Sequence, residues 1–367
     1  MDAHEVFQYQ WPYLLSLLPP IETLESGAYS SGAISRRRSI DSASTLLRLA
    51  LAYSFCGFSL RQTTAWAEAC GLASLSDVAL LKRLRKCHTW LGQLLAAKLA
   101  DRAALPTSSL RLRLLDATAV SQPGSSRADW RIHLSFDLGR MMIDSLDLSD
   151  FSGAESLTRF HFLPNELAVA DCGYAHRAGL FHVTSSGAHY LVRINWLNIP
   201  LLHMDHSRLD VLACLRSLPE ATAGSFPVLV APDRRRQIPS FPARLVAVRR
   251  SEAAAESARQ RAASNARHQR HLIDPRTLES AGYAFALTSL PDSYDAAQIL
   301  DIYRFRWQIE LAFKRLKSIL HLDELPAKDP TLAKTVLYSK LLAALLVEDF
   351  TTNFLAISPW GYNLRST

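Results

Sequence analysis

The sequence predicts a mixed α/β protein in which a strand-rich middle lies between helical regions at either end. Residues 42–104 and 331–357 carry apolar residues at three- and four-residue steps, which is typical of helices. Residues 108–174 change to short apolar runs and to alternation of apolar and polar residues, which is typical of strands. The 367 residues exceed the roughly 250 to 300 at which a single core stops growing, so we expect more than one domain.

Charge and composition limit the classes of protein to which the chain can belong. Its 41 Lys and Arg against 34 Asp and Glu give a formal charge of +7, which moderately favours a polyanionic partner. No uninterrupted apolar run reaches the roughly 18 residues of a membrane span, and the acidic N-terminus does not resemble a secretory signal. The five cysteines form no C-x-x-C pair, which argues against a zinc site. We therefore expect a cytoplasmic protein without a membrane segment.

The helical region has recognisable start and stop residues. Ser59 and Ser76 stand where N-caps belong, and Gly57 and Gly71 stand where helices should end. Three helices are predicted between residues 42 and 104, the last two in helix-turn-helix spacing.

The third of these helices has a basic side. Val78, Leu81 and Leu84 can pack inward, as a helix lying along DNA would require of its inner face. A plain helical bundle with a solvated basic face is the alternative. The outward residues are Lys82, Arg83, Arg85 and Lys86.

Two aspartates follow apolar runs in the strand-rich middle. Asp116 comes directly after Leu114 and Leu115, and we expect it at the end of a strand. Residues 130–149 predict two further strands of an antiparallel meander, and the segment AESLTRFHFL then looks helical. The run ELAVA predicts a short strand that ends at Asp171.

Residues 175–282 are strand-rich but less regular, with HYLVRI, PVLVAP and ARLVAVRR separated by Pro-containing turns. They also contain a helix-forming segment, 251–276, with five arginines against three acids. That segment predicts an exposed basic helix, either solvated or in contact with phosphates. The strand YAFALTSLP follows.

The stretch IYRFRWQIELAFKRLKSIL, residues 302–320, predicts one helix. Ile302, Phe305, Ile309, Ala312, Leu316 and Ile319 form an apolar stripe. Beside it lies a polar stripe of Tyr303, Arg306, Glu310 and Lys317. An ordinary solvated face with weak ion pairs would account for that stripe alone.

The combination of Glu310 with the two aspartates favours a different interpretation. Three carboxylates from separate elements can meet at one edge of a sheet, where they repel one another unless cations intervene. Carboxylate oxygens suit Mg²⁺, and two such ions can promote phosphoryl transfer. The sequence therefore predicts phosphodiester chemistry.

The spacing Y-x2-R-x3-E-x6-K in residues 303–317 resembles the Y-R-E-K signature of bacterial transposases of the insertion sequence 4 family, a DDE-type group. Asp116 in LLDATAV and Asp171 in VADCGY stand in a matching context, and the likeness spans most of the chain. This resemblance implies a ribonuclease-H-like core with a β-rich insertion before Glu310, and an insertion sequence transposase that cuts and pastes DNA.

The resemblance also implies roles for these residues. Asp116, Asp171 and Glu310 would bind two Mg²⁺ ions, for which Mn²⁺ could substitute. Tyr303, Arg306 and Lys317 would hold DNA phosphates near the transposon end. The partners would be terminal inverted repeats and target DNA, bound by a homodimer that is nucleoid-associated when on DNA. Trp307 could stack on an unpaired base or could be core.

On this basis we divide the chain into an N-terminal arm or linker (1–40), a helix-turn-helix-like DNA-binding region (41–105), a catalytic core (106–195 and 283–325), a β-rich insertion (196–282) and C-terminal helices (326–367). Because the chain stops soon after its last predicted helix, we expect relatives with more C-terminal helix.

Two other functions stay open: a non-catalytic DNA-binding protein or decayed transposase, and a ribonuclease-H-like nuclease unrelated to transposition. The first predicts end binding without cleavage, and the second predicts cleavage independent of end sequence.

Overall fold

The computed structural model describes residues 7, 10–103, 110–125, 127–268, 270, 272–321, 325–326 and 328–355. Its N-terminal part is helical, as predicted. The helices there are α1 (Trp11–Ser16), α2 (Ile21–Ser30), α3 (Ala43–Phe55), α4 (Leu60–Ala69), α5 (Asp77–Leu84) and α6 (His88–Ala103).

The predicted helix boundaries hold at four of the positions that the sequence marks. The side chains of Ser59 and Ser76 cap α4 and α5 by accepting hydrogen bonds from backbone N–H groups. Gly57 and Gly71 have φ angles of 66° and 65°, in the left-handed region that ends a helix.

The predicted third helix is wrong in its length and, at Val78, in its inner face, whereas Leu84 is buried and Leu81 packs against the core as predicted. It is two helices, α5 and α6, separated by a turn after Leu84. Leu80 and Leu84 are fully buried, whereas Val78 is exposed. The inner face of an eight-residue helix is set by the neighbouring helices against which it packs, and periodicity over so short a segment does not identify it.

The described part of segment 1–40 is not an extended arm, contrary to the prediction. Leu24, Ala28 and Ile34 are almost completely buried, and α2 packs against α3 and α6. Few apolar residues suffice here, because the partner helices supply most of the shared core and small side chains allow close approach. The domain boundaries themselves stay a prediction.

A nine-stranded sheet forms the middle of the molecule, in the order β3-β2-β1-β4-β5-β9-β8-β7-β6. The strands are β1 (Arg111–Val120), β2 (Trp130–Asp137), β3 (Met142–Asp150), β4 (Glu166–Ala170), β5 (His189–Arg193), β6 (Leu201–Leu202), β7 (Ala223–Val230), β8 (Phe241–Arg249) and β9 (Tyr283–Thr288). The meander β1-β2-β3 is antiparallel, as predicted, and β1, β4 and β5 run parallel. The strands β6, β7 and β8 join the same sheet through β9.

The segment after β3 is not the predicted helix. Only Leu157–Arg159 form one short 3₁₀ turn. Phe160 and Phe162 are both buried two residues apart, which requires an extended backbone. Tertiary burial of these rings therefore overrides the local helical pattern.

Further helices connect or cover the strands. They are α7 (Arg177–Ser185), α8 (Val211–Arg216), α9 (Glu252–His268), α10 (Pro275–Ser280), α11 (Ala296–Arg304), α12 (Trp307–Leu320) and α13 (Pro330–Leu355). The basic helix α9 is largely exposed, as predicted, but shorter than segment 251–276.

Two hydrophobic clusters cover the two faces of the sheet. The first contains Leu114 of β1 and Val169 of β4 together with α3, α6, α12 and α13. The second contains Leu115 and Ala170 together with α7 and α8. Successive side chains of a strand point to opposite faces, so each face of the sheet has its own core.

Helix α13 connects the N-terminal helices to the sheet. It packs against α3, α5 and α6, and the Thr335 hydroxyl donates to the carbonyl of Leu84 at 2.7 Å. Arg102 of α6 forms ion pairs with Glu348 and Asp349 at 2.8 and 2.6 Å. By length and composition alone, residues 330–349 could cross a membrane, but most of this segment is buried inside the protein.

Candidate functional site

The register of two parallel strands brings the two predicted aspartates together. β1 and β4 pair from Arg111 with Glu166 to Leu115 with Ala170. Asp116 and Asp171 are the next residue on each strand, so they continue the same register side by side. Asp116 is not at the end of β1, contrary to the prediction, because β1 continues beside β2 to Val120.

Both aspartates lie on the face of the sheet that α12 covers. Asp116 follows Leu114 by two residues and Asp171 follows Val169 by two, and both hydrophobic residues belong to the first cluster. Ile309 anchors α12 in that cluster, and α12 packs against β1. This arrangement brings the helix that carries the predicted third carboxylate to the two aspartates.

The predicted single helix 302–320 is wrong. The chain forms α11 and α12 with a turn at Phe305 and Arg306, and the Phe305 side chain is exposed instead of in the apolar stripe. The turn separates two anchored ends: the Tyr303 hydroxyl donates to Asp171 Oδ1 at 3.4 Å, and Ile309 is fully buried. Tertiary contacts on either side again override the helical pattern.

Two arginines and the third carboxylate complete the immediate surroundings. Arg306 Nη2 donates to Glu310 Oε1 at 2.5 Å, while the Glu310 side chain stays 56% exposed. Arg193, at the end of β5, has its Nη1 atom 3.9 Å from Asp171 Oδ1. Two residues of the predicted polar stripe, Tyr303 and Arg306, therefore donate hydrogen bonds to carboxylates.

Electrostatics distinguish Asp116 from an ordinary surface acid. Burial raises its pKa to about 6, the Ala117 N–H and Arg306 oppose that shift, and Glu155 and Glu310 add to it. The Ala117 N–H donates to Asp116 Oδ1 at 2.8 Å. Asp116 is therefore harder to ionise than an ordinary aspartate, mainly because it is buried.

Burial and nearby charges also shift the neighbouring groups. Burial raises the pKa of the Tyr303 hydroxyl, and Asp171 adds to this effect. Burial alone would lower the pKa of Arg306, but Tyr303, Glu310 and Asp171 raise it above the ordinary value. At neutral pH, Tyr303 is therefore a hydrogen-bond donor and Arg306 a fixed cation.

The donor set suits a hard divalent cation. Asp116, Asp171 and Glu310 offer carboxylate oxygens, and the raised pKa of Asp116 indicates that a nearby cation would stabilise its ionised form. Within the described part of the chain, no three acidic, His or Cys side chains are close enough to hold one ion as they stand. Glu310, which is bound to Arg306, would have to exchange partners.

Sequence reasoning missed two residues near this site. Arg193 ends a strand beside β4, a signal that topology could have supplied. Glu155 lies in the segment that was predicted helical, and its negative charge acts on Asp116. No sequence pattern identifies Glu155, because its position depends partly on Arg131, which lies 24 residues earlier in the chain.

The other predicted DNA contacts occupy three places. Trp307 is exposed, which excludes the core alternative, and Lys317 lies partly buried in the last turn of α12. Arg85 is separate from the other basic residues and forms an ion pair with Asp329 at 3.0 Å. Arg38, Lys82, Arg83 and Lys86 line one surface cleft of about 460 Å³ that runs along α5.

Known proteins similar to this chain are transposases of insertion sequences. The family model of the transposase DDE domain matches residues 107–346. The transposase for insertion sequence element IS421 of Escherichia coli is 43% identical over 355 residues, which cover 95% of this chain and 96% of that protein. The InsL protein of element IS186A of Escherichia coli K12 is also 43% identical, with the same coverage.

Among solved structures, a piggyBac transposase synaptic complex with hairpin DNA is similar with a TM-score of 0.42 and 9% identity, over 97% of this chain and 81% of that chain. The family match and the close relatives define the family. The chain belongs to the DDE transposases of bacterial insertion sequences.

Proposed function

We propose that this transposase carries out metal-dependent cut-and-paste transposition, in which it binds the terminal repeats of its element, cleaves the DNA strands and joins the ends to target DNA. The observation that carries the proposal is the β1–β4 register, which makes Asp116 and Asp171 neighbours on the face covered by α12. The strand order β3-β2-β1-β4-β5, with its antiparallel meander, supports a ribonuclease-H-like core.

We infer that Asp116, Asp171 and Glu310 hold two Mg²⁺ ions, for which Mn²⁺ can substitute. When bound, such ions activate a nucleophile and stabilise the leaving oxygen of a phosphodiester. Tyr303 orients Asp171 through its hydroxyl. Arg306 neutralises Glu310 in the metal-free protein and, once Glu310 is released, can hold a DNA phosphate.

Catalysis is tested by incubating the purified full chain with DNA that carries both element ends, with and without Mg²⁺. Asp116→Asn, Asp171→Asn and Glu310→Gln should each lower strand cleavage at least about 100-fold, because even indirect metal contacts are worth 10- to 100-fold. Glu22→Gln, at an exposed carboxylate on α2, is the matched control and should cleave normally. Unchanged cleavage by Glu310→Gln would contradict its assignment, and end binding without cleavage by the wild type would contradict catalysis.

We further propose that the cleft at α5 binds the backbone of the terminal repeat. Lys82 and Lys86 line it and are exposed, whereas the Arg83 Nη2 atom donates to the carbonyl of Arg36 at 2.9 Å. Arg83 would therefore position the basic segment 36–38, and the two lysines would contact phosphates.

The salt dependence of end binding tests this cleft. Lys82→Ala and Lys86→Ala should each weaken binding to all sequences and reduce the slope of log affinity against log salt by about one. Arg85→Ala is the control, since its guanidinium is engaged by Asp329. If the slope of log affinity against log salt falls only in Arg85→Ala, the phosphate contact lies at the turn after α5, and the proposed role of Lys82 and Lys86 is wrong.

By family likeness we propose that a homodimer bridges the two element ends and acts in the cytoplasm on the nucleoid. The mass of the protein–DNA complex, measured by light scattering, tests the stoichiometry. A mass corresponding to one chain on two ends would contradict it.

A further inference from the structure

The turn between β7 and β8 presents three consecutive arginines, Arg234, Arg235 and Arg236, and all three are exposed. Together with Arg177, the first residue of α7, they line a surface cleft of about 570 Å³, which we call the arginine cleft. Asp233 supplies the one carboxylate among its described lining residues. The arginine cleft therefore carries a large excess of positive charge in a small area.

Backbone hydrogen bonds hold the arginine turn in one conformation. The N–H of Asp233 donates to the carbonyl of Ile238 at 2.9 Å, and the N–H of Ile238 donates to the carbonyl of Asp233 at 3.0 Å. Inside this closed loop the three arginines form a 3₁₀ turn, which ends at Gln237 with a φ angle of 56°. A left-handed residue other than glycine costs roughly 1 to 3 kcal/mol and persists only where the surrounding structure fixes it. The turn is therefore a preorganised support for its arginines.

Asp233 joins the arginine turn to α7. Its side chain is almost completely buried, and its Oδ2 atom lies 3.3 Å from Arg177 Nη2 and 3.4 Å from Arg236 Nη1. The Arg177 Nη1 atom also donates to the carbonyl of Pro232. The other two arginines of the turn form no ion pair with any residue that the structure describes. Their guanidinium groups are therefore available to a ligand, while Asp233 fixes the support beneath them.

Guanidinium groups on such a turn suit the phosphates of a nucleic acid. Arginine presents a planar fork that matches two phosphate oxygens, and it stays charged throughout the physiological pH range. A DNA duplex carries one phosphate charge per roughly 1.7 Å of its axis, so a turn with several guanidinium groups can contact more than one phosphate at once. Contacts of this kind position DNA without reading its sequence.

The arginine cleft and the cleft at α5 belong to opposite faces of the sheet. Leu180 of α7 and Ile238 beside the arginine turn lie in the second hydrophobic cluster, whereas Leu80 of α5 lies in the first. Arg177 follows Asp171 by six residues, so their backbones are no more than about 22 Å apart. That distance corresponds to about six base pairs of a duplex. The protein can therefore hold two DNA segments near the same carboxylates, one from either side of the sheet.

We propose that the arginine cleft binds the phosphates of target DNA, without regard to its sequence, while the cleft at α5 holds the terminal repeat. Arg234 and Arg235 contact the phosphates, and Asp233 and Arg177 position the turn that carries them. The inference rests on the proposed function, because only an enzyme that joins cut ends to other DNA needs a target. It gives the β-rich insertion a task of its own in the joining step.

The test measures the joining of pre-cut element ends by the full chain, with Mg²⁺ and increasing concentrations of a duplex that contains no element end. The double variant Arg234→Ala/Arg235→Ala should raise the duplex concentration at half-maximal joining about 10-fold, because two phosphate contacts are lost. The joining rate at saturating duplex should stay within about twofold of the wild type, since the chemical step is untouched. Arg234→Lys/Arg235→Lys keeps both charges and should restore most of the affinity.

The control removes the same charge from the same insertion at arginines that are already engaged. Arg216 forms an ion pair with Glu279 at 2.6 Å, and Arg276 forms one with Asp274 at 2.7 Å. Arg216→Ala/Arg276→Ala should therefore join ends at the same duplex concentration as the wild type. An equal rise in this control would overturn the proposal, because the effect would then follow net charge alone.

Two further results would overturn the proposal. One is a half-maximal concentration in Arg234→Ala/Arg235→Ala within about twofold of the wild type. The other is a loss of end cleavage as large as the loss of joining, because the arginine cleft would then hold the element end. If the wild type joins no ends at all, the proposed function itself fails, and the binding of the end-free duplex then tests the arginine cleft alone. The double variant should still reduce the slope of log affinity against log salt by about two, and an unchanged slope would overturn the assignment.

Discussion

Strand β1 carries charged side chains in two regions, which differ in how far oppositely charged neighbours neutralise them. At its start, Arg111 binds Asp137, Asp144 and Glu166 at 2.7 to 2.9 Å, and all four side chains are almost completely buried. Further along the strand, Asp116 accepts a hydrogen bond from a backbone N–H, and its pKa is raised to about 6. Buried arginines neutralise the first region, and the second is left partly uncompensated.

The two regions differ in how their carboxylates are neutralised. In the first region a planar guanidinium is matched to three carboxylates, which offsets the cost of burying them. In the second region the cations bind only one carboxylate each, as Arg306 binds Glu310. Carboxylates that converge without enough cations are stable only at some cost, which a divalent metal would remove.

The largest loss of stability is expected from replacing Arg111, which neutralises buried carboxylates at the start of β1. Arg111→Met should destabilise the fold by about 3 to 5 kcal/mol, because it leaves three buried carboxylates with only the guanidinium groups of Arg113 and Arg140. Urea unfolding followed by circular dichroism measures this loss. Arg234→Met, at an exposed arginine in the turn before β8, is the control and should change stability little. Equal stability of the two variants would mean that the buried cluster is not a structural element.

A second effect on stability concerns β2, the strand that pairs with β1. His133 of β2 is fully buried, and burial, followed by Arg159, lowers its pKa to about 4. Its folded form stays neutral while the unfolded chain takes up a proton below about pH 6.5, so its contribution to stability is lost as pH falls from 6.5 to 4.

The free energy of unfolding of the wild type should fall between pH 7 and pH 4, and in His133→Gln this fall should be smaller by up to about 3 kcal/mol. A pKa that is lowered by two to three units corresponds to about that energy. Unfolding by urea at both pH values measures it, and exposed His203→Gln serves as the control. A decline in His133→Gln as steep as that of the wild type would show that other groups dominate.

A smaller change in stability is expected at Asp116, in the second region of β1. Because burial raises the pKa of Asp116 to about 6, ionising it in the folded state costs free energy, and stability falls as pH rises from about 4 to 6. In metal-free buffer at pH 7, Asp116→Asn should be more stable than the wild type by about 1 to 2 kcal/mol, allowing for its partial exposure.

Added Mn²⁺ should reverse the order, since only the wild type keeps the full carboxylate set. Thermal unfolding with EDTA and then with Mn²⁺ measures both signs. A metal-free Asp116→Asn that is less stable than the wild type at pH 7 would contradict the view that Asp116 is uncompensated.

The sequence predicted those features that depend on short, local patterns. Ser59 and Ser76 could be recognised as caps, and Asp116 and Asp171 could be recognised as candidate site residues because each follows an apolar run. Features set by contacts between distant residues were not readable. The turn at Phe305 depends on Tyr303 and Ile309 being anchored in different places, and the pairing of β5 with β9 joins residues almost 100 positions apart.

Glu155 is the clearest case of this limit. Its local sequence resembles a helix, yet Arg131 and Arg159 hold the segment in another conformation. A residue whose conformation depends on a side chain of another strand, as Glu155 depends on Arg131, leaves no periodic pattern that a single sequence can reveal.

Helix α13 has a consequence for the geometry of the reaction. The Thr335 hydroxyl of α13 donates a hydrogen bond to the last residue of α5. In the first hydrophobic cluster, α13 also packs against α12, the helix that covers β1. Under the proposed function, the surface that recognises a DNA end and the carboxylates that cut it belong to one rigid body. The length of the packed helix α13 would then set the number of base pairs between the recognised sequence and the cut. A flexible linker would allow that number to vary.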